Sequence, residues 1–306
     1  MRAKAIVKIC ICGTIALVLA SVLVSLLALP RVLDWKIGDL SFHWIDDHGS
    51  DEGYTVGEAS VSGEVRELDV SWLSGSVTVE LTDGDAVTLR EEPQPESSDA
   101  RMRWKLQDGK LTVYSQKSGL TIPTRAKQLT IGIPAGRAGK LQKLSLDLSA
   151  ASASLPALTL RELELDSVSG SVTLTGGSYE NLDFDSTSGD LTVTDAAVGE
   201  LSADTTSGSL TLDGAFETID FDTTSGALHL TTSILPRDIS CDTVSGGVTL
   251  TLPENGGFSA TLDSVSGDLT VDGFAGSLHR DEFVYGQGGP AYEFDSVSGD
   301  VHIRCA

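Results

Sequence analysis

One five-residue phrase, Asp-(Ser/Thr)-(Val/Thr)-Ser-Gly, occurs seven times between Asp166 and Gly299. It reads DSVSG at Asp166, DSTSG at Asp185, DTTSG at Asp204 and Asp222, DTVSG at Asp242, and DSVSG again at Asp263 and Asp295. The closing glycines are 19, 19, 18, 20, 21 and 32 residues apart. A fixed phrase with a period near 20 marks stacked structural repeats, each too small to bury its apolar face alone. Apolar residues alternate with polar ones on both sides of the phrase: Leu163, Leu165, Val172 and Leu174 in one copy, Leu182, Phe184, Leu191 and Val193 in the next. The same pattern ends with Tyr292, Phe294, Val301 and Ile303. Each copy therefore predicts two short strands flanking a Ser-Gly bend, each turning one face inward.

The expected fold is all-β: a β-solenoid, parallel β-helix-like, with an N-terminal β-hairpin region. A degenerate copy around Asp147, with Ala151 in the glycine position, lies 19 residues before Gly170 and brings the total to about eight coils. At about 4.8 Å per coil that makes a rod of roughly 40 Å. The alternative is a β-propeller, whose blades of about 40 residues would require the copies to pair. The copies show no odd-even difference that would mark such pairing.

Upstream, SVTVEL (Val77, Val79, Leu81) and KLTVYS (Leu111, Val113) alternate as strands do. LTIGIPAG near Leu129 predicts a strand stopping at Pro134. Residues 91–100 (EEPQPESSDA) predict a loop joining two hairpin strands. The phrases at 60–63 and 73–77 look like degenerate copies of the repeat. The expected organisation is a cytoplasmic tip and anchor over 1–30, a linker over 31–53, a β-rich part over 54–144 and the repeat block over 145–306.

The chain carries a formal charge of −23, unevenly placed. Residues 145–306 hold 26 Asp and Glu against four Arg and no Lys, whereas residues 31–144 hold 18 acids against 14 bases. An acidic repeat surface repels phosphate backbones, which excludes nucleic acid as partner and argues against docking on anionic lipid or wall polymer. It also keeps an elongated sheet surface soluble.

Residues 9–29 carry no charge across 21 positions, roughly 30 Å as a helix and enough to cross a bilayer core. Arg2, Lys4 and Lys8 precede this run, which predicts a cytoplasmic N-terminus and an extracytoplasmic body at the plasma membrane. A cleaved signal peptide is the competing reading, but the run is long and ends in Leu26-Leu27-Ala28-Leu29-Pro30, without an A-x-A-like site. Trp35, Phe42 and Trp44 in the linker suit either the membrane interface or packing on the folded part. Cys241 and Cys305 are the cysteines outside the anchor. Cys241 takes a slot filled elsewhere by Leu165, Phe184 and Phe221, so two buried free thiols are expected rather than a disulfide.

Strands ending in Asp-(Ser/Thr)-x-Ser-Gly and resuming as hydrophobic-Thr-hydrophobic, behind one N-terminal membrane segment, resemble the bacterial putative adhesin family, a domain of unknown function. The ending YGQGGPAYEFDSVSGDVHI resembles that family's closing coil, and the likeness extends over about residues 54–305. It implies an envelope location and carries over no catalytic residues.

Three constellations bear on chemistry. Asp166, Asp185, Asp204, Asp222, Asp242, Asp263 and Asp295 share one register and would stack about 5 Å apart, repelling by roughly 1 kcal/mol per pair in water and about 3 at an effective dielectric of 20. The favoured relief is that each carboxylate caps its own Ser-Gly bend as an Asx-type turn, with Gly bending and Ser stacking. The alternative is Ca²⁺ bridging the carboxylates, although the phrase matches neither the Gly-Gly-x-Gly-x-Asp repeat nor an EF-hand loop. Next, carboxylate pairs for sugar chemistry occur in every coil, so none stands apart. The bases a lyase would need reduce to Arg161, Arg237, Arg280 and Arg304, and His43, His48, His229, His279 and His302 show no ligand spacing. Last, residues 273–290, with His279, Arg280, Asp281, Glu282, Phe283 and Tyr285, interrupt the repeat either as a cap or as a binding loop. No catalytic, metal-binding or cofactor-binding residue is expected, and no cofactor. The expected activity is non-catalytic surface contact with an envelope protein or polysaccharide: adhesion, scaffolding or an accessory role in envelope sensing. A cation-dependent carbohydrate-binding module, and then a carbohydrate-active enzyme, are the alternatives.

Overall fold

The computed structural model describes residues 51–118 and 126–306. The anchor expected over 9–29 and nearly all of the linker lie outside the described residues. Among the described residues, no helix is long and apolar enough to cross a membrane.

Alternation over short runs produces strands, and the Ser-Gly corners fold them into coils. In each coil one strand leads into the corner and one leaves it, so the coils stack as two parallel ladders: a pre-corner face and a post-corner face. On the pre-corner face Thr159–Ser167 pairs with Ser178–Ser186, in register from Thr159↔Ser178 to Ser167↔Ser186. Ser178–Ser186 in turn pairs with the second half of Leu191–Thr205. On the post-corner face Val172–Thr175 pairs with the first half of Leu191–Thr205. Both ladders run on without a break through Leu210–Thr223, Leu228–Thr232, Asp238–Thr243 and Val248–Leu252. A continuous parallel ladder is a solenoid, not the separate blades of a propeller.

The inner rows make one core. Along the stack Phe184, Ala203, Phe221, Cys241 and Phe294 are consecutive partners, each 2 % exposed or less. Large and small side chains alternate, which fills the space between coils at the density protein interiors require. Cys241 is therefore the small member between two phenylalanines. Both cysteines are free; Cys241 is buried as expected, whereas Cys305 is only half-buried.

Coil order in space departs from chain order at both ends. The last segment pairs on one side with the coil at 238–252 and on the other with the coil at 257–272. The expected closing coil is thus next to last, inserted between two coils that precede it in the chain. Cys305 consequently lies one coil from Cys241, on the opposite face. The insertion is held by the buried Tyr292 hydroxyl, which donates to the Pro236 carbonyl at 3.0 Å. Arg304 Nε donates to Thr251 Oγ1 at 2.9 Å on the same side. At the other end Glu67–Thr82 lies between Lys143–Leu155 and a coil made of Lys110–Tyr114 and Lys127–Pro134. Gly75 stands opposite Ala151, so the phrase at 73–77 is a true coil. The phrase at 60–63 instead falls in Ala59–Val61, a strand of the cap.

Antiparallel strands cover the stack ends. Val87–Glu92 lies against Lys127–Pro134, and Arg103–Gln107 against Lys110–Tyr114. Residues 93–102 therefore connect the caps of the two faces; they do not close a hairpin, because the two strands they join pair with different partners. At the opposite end Glu282–Gly286 lies against Gly257–Ser264, with Ser277–His279 outside it. The interruption at 273–290 is thus a cap on the pre-corner face.

Candidate functional site

The corner sets which side chains face outward. In all seven phrases the Ser or Thr after Asp accepts the N–H of the phrase's glycine, from Gly299 N to Ser296 Oγ at 2.6 Å to Gly170 N to Ser167 Oγ at 3.0 Å. The expectation that Asp caps the bend is corrected: the hydroxyl one residue later does so. Alternation explains why, since a strand residue next to an outward Asp points inward, toward the corner. The second Ser donates to the carbonyl of the coil below, as Ser207 Oγ does to Thr187 O at 3.2 Å. The glycines are required for close approach rather than for positive φ. A Cβ on Gly208 would overlap the Gly189 carbonyl, and one on Gly226 the Gly208 carbonyl.

The aspartates stand outward on the pre-corner face. Asp166, Asp185, Asp204, Asp222, Asp242 and Asp295 are successive partners. Glu164, Asp183 and Asp220 lie in the adjacent row, and Glu162, Glu200 and Asp238 in the next. Partial burial and then the neighbouring carboxylates raise Asp166, Asp183, Asp185 and Asp220 above the ordinary carboxylate range. Asp222 is pushed up to about 6, first by burial and then by Asp242, Asp220 and Asp204. Relief is local at Lys143, whose Nζ lies 3.1 Å from Glu162 and 2.6 Å from Glu164. That contact holds Glu164 below its usual value.

The post-corner face has a different exterior. Its outward rows are Thr173, Thr192, Thr211, His229 and Thr249, and beside them Thr175, Thr194, Asp213, Thr231 and Thr251. Sequence reasoning passed over this face, although the TLT, TVT and TLT triplets at 173, 192 and 249 signal it.

The remaining candidates scatter. Arg237 pairs with Glu217, His302 Nε2 lies 2.8 Å from Asp272, and Arg161, His229, His279 and Arg280 are exposed. His43 and His48 lie outside the described residues. Among the described residues no group of three or more His, Cys, Asp or Glu converges to hold a metal ion. A buried cluster that the sequence did not reveal lies under the cap, where Lys127 Nζ is 2.6 Å from Glu91 and 5.0 Å from the Trp72 ring centre. Glu91 also accepts the Met102 N–H at 3.2 Å, so the cluster ties the cap to the first coils. A void of about 20 Å³ is lined by Val65, Val87 and Ile133. An open depression of about 280 Å³ adjoins it, lined by Ser62, Glu64, Val65, Arg137 and Lys140.

A family model described as Toastrack DUF4097 matches residues 65–304. The chain belongs to that family. The Toastrack match runs from the first coil to the inserted last one, so both stack ends belong to the domain. Among solved structures, a putative lipid binding protein from Parabacteroides distasonis shares the fold, with a TM-score of 0.50 and 16 % identity over 83 % of this chain and 97 % of that one. A putative adhesin from Bacteroides fragilis is 12 % identical over 83 % of this chain and 98 % of that one, with a TM-score of 0.49. No curated protein matches the chain.

Proposed function

We propose that this Toastrack protein is a non-catalytic contact module of the cell envelope, tethered by residues 9–29 and presenting its coils outside the plasma membrane. The observation that carries the reading is that each face repeats one outward chemistry over many coils: carboxylates before the corner, threonine hydroxyls after it. Catalysis needs unlike groups brought to one point; contact over an extended surface needs the same group offered again and again. The post-corner face suits the contact, because its rows of threonine hydroxyls shed water at less cost than rows of carboxylates. Its partner would be an envelope protein or a polysaccharide, both of which offer hydrogen-bonding groups over a length. The name of the Parabacteroides neighbour raises lipid as a ligand, but here the acidic rows and the small recess at Val65 argue against an acyl chain.

The test is a pull-down with the full chain in detergent against wall polymer and membrane-protein fractions. Replacing Thr173, Thr192 and Thr211 together by lysine should abolish capture, while replacing Asp166, Asp185 and Asp204 together by asparagine should leave it intact. Capture lost only with the aspartate set would move the contact to the other face. Turnover of a polysaccharide that ends with a single Asp→Asn change would refute the reading.

A further inference from the structure

The post-corner ladder repeats one bond at every step. Val172 N–H donates to the Asp190 carbonyl, Leu191 to Ser209, Leu210 to Ala227, Leu228 to Gly247, Val248 to Asp300 and Val301 to Asp268, all at 2.8–3.0 Å. The next donor is Leu269. Its strand, Leu269–Asp272, pairs with Val301–Cys305 and, among the described residues, with no strand on the other side. The bond from Val301 to Asp268 fixes the phase, so Thr270 and Asp272 face the ladder while the N–H and C=O of Leu269 and Val271 face outward. The three other stack-end strands each carry an antiparallel cover.

The core beside this edge is equally incomplete. Phe274 packs edge-on to Phe258, with centroids 5.0 Å apart, and closes the pre-corner side. Leu269 and Val271 remain half-buried, whereas their counterparts Val248, Leu250, Val301 and Ile303 are 2 % exposed or less. An open edge with apolar side chains on its inner face is a template for one more strand.

We propose that the Leu269–Asp272 edge receives an extended strand from a partner protein, with apolar side chains facing Leu269 and Val271 and basic ones on the outer face. The charge beside the edge selects that occupant. Asp268 and Asp272 are exposed on the outer side of the strand, and Asp300 lies behind Asp268, accepting its N–H at 2.9 Å. A second copy bringing its own Leu269–Asp272 edge would set Asp272 and Asp268 against their equivalents, in a chain already at −23. A strand alternating valine with lysine supplies the missing hydrogen bonds, covers the apolar pair and neutralises the carboxylates. This site is independent of the face contact proposed above, since it is a single edge at the stack end.

The probe is an eight-residue peptide alternating valine and lysine, with its valine–glutamate counterpart, tested by amide exchange and affinity on the full chain in detergent. The lysine peptide should slow exchange at Val271. Leu269→Pro removes an outward N–H that the ladder does not use and should weaken binding tenfold or more, while all the negative charge that could attract the peptide non-specifically is kept. Thr270→Lys, an exposed outward change, should weaken the lysine peptide and admit the glutamate one, with a thermal midpoint near wild type. The proposal is overturned if both variants bind as wild type does, if both peptides bind the wild type equally, or if the free chain dimerises through this edge and Leu269→Pro makes it monomeric.

Discussion

The two faces of each coil come from the same repeat and share one core, yet their exteriors are opposite. Before the corner, outward positions hold Asp and Glu, and partial burial, then the neighbouring carboxylates, raise their pKa values, up to about 6 at Asp222. After the corner, the same outward positions hold mainly threonine, whose branched side chains stack well along a ladder. In-register stacking multiplies whatever one coil places outward. Rows of carboxylate work against the fold and rows of threonine work with it. The charge is tolerated because the corners and the core hold the coils together without it.

The comparison can be broken first at the corner the faces share. Gly208→Ala drives a Cβ into the Gly189 carbonyl and should cost about 3 kcal/mol or more in denaturant unfolding. Thr223→Val leaves the Gly226 N–H, now 2.8 Å from the hydroxyl, buried without an acceptor, and should cost about 1–3 kcal/mol. Asp222→Asn, one residue away, should instead stabilise the protein at pH 7.5. After allowance for solvent screening the gain is on the order of 1 kcal/mol, or about 2–4 °C in thermal midpoint. If Asp222→Asn destabilises as much as Thr223→Val, the carboxylate caps the bend after all.

The acidic face also sets the pH response. Because folding raises the pKa values of Asp222 and of Asp166, Asp183, Asp185 and Asp220, the native chain binds more protons than the unfolded one between about pH 4 and 6. Stability present below that window is lost as pH rises through it, so the thermal midpoint should be higher at pH 5 than at pH 7.5. Glu164, lowered by Lys143, opposes this at one site. A combined Asp204→Asn, Asp222→Asn, Asp242→Asn variant should flatten the profile. On the post-corner face Thr192→Ser should stay within about 0.5 kcal/mol and leave the pH profile unchanged, the smallest effect of the set.

The period of the repeat made the solenoid legible, because glycine spacing and alternation are local signals and neither has another reading over so many copies. The capping group was not legible: Asp and Ser both bond turn backbones, and only the face each occupies separates them. Coil order was hidden for a related reason. When Asp242, Asp263 and Asp295 head nearly the same phrase, no copy states its neighbour. The deciding bond, Tyr292 to Pro236, spans 56 residues. The open edge at Leu269 was hidden with it, since chain order made the coil at 291–305 the last and gave Leu269 a neighbour on the wrong side.

The inserted coils also bear on how such a chain could lengthen. Both end coils of the chain order, at 67–82 and 291–305, are clasped between others, so a copy added at either terminus would find no vacant rung beside its parent. A duplicated segment within 159–252, where chain order and stacking order agree, would slide into the ladder and leave both clasps untouched. Longer and shorter relatives should therefore differ in the number of middle coils and keep their two ends alike.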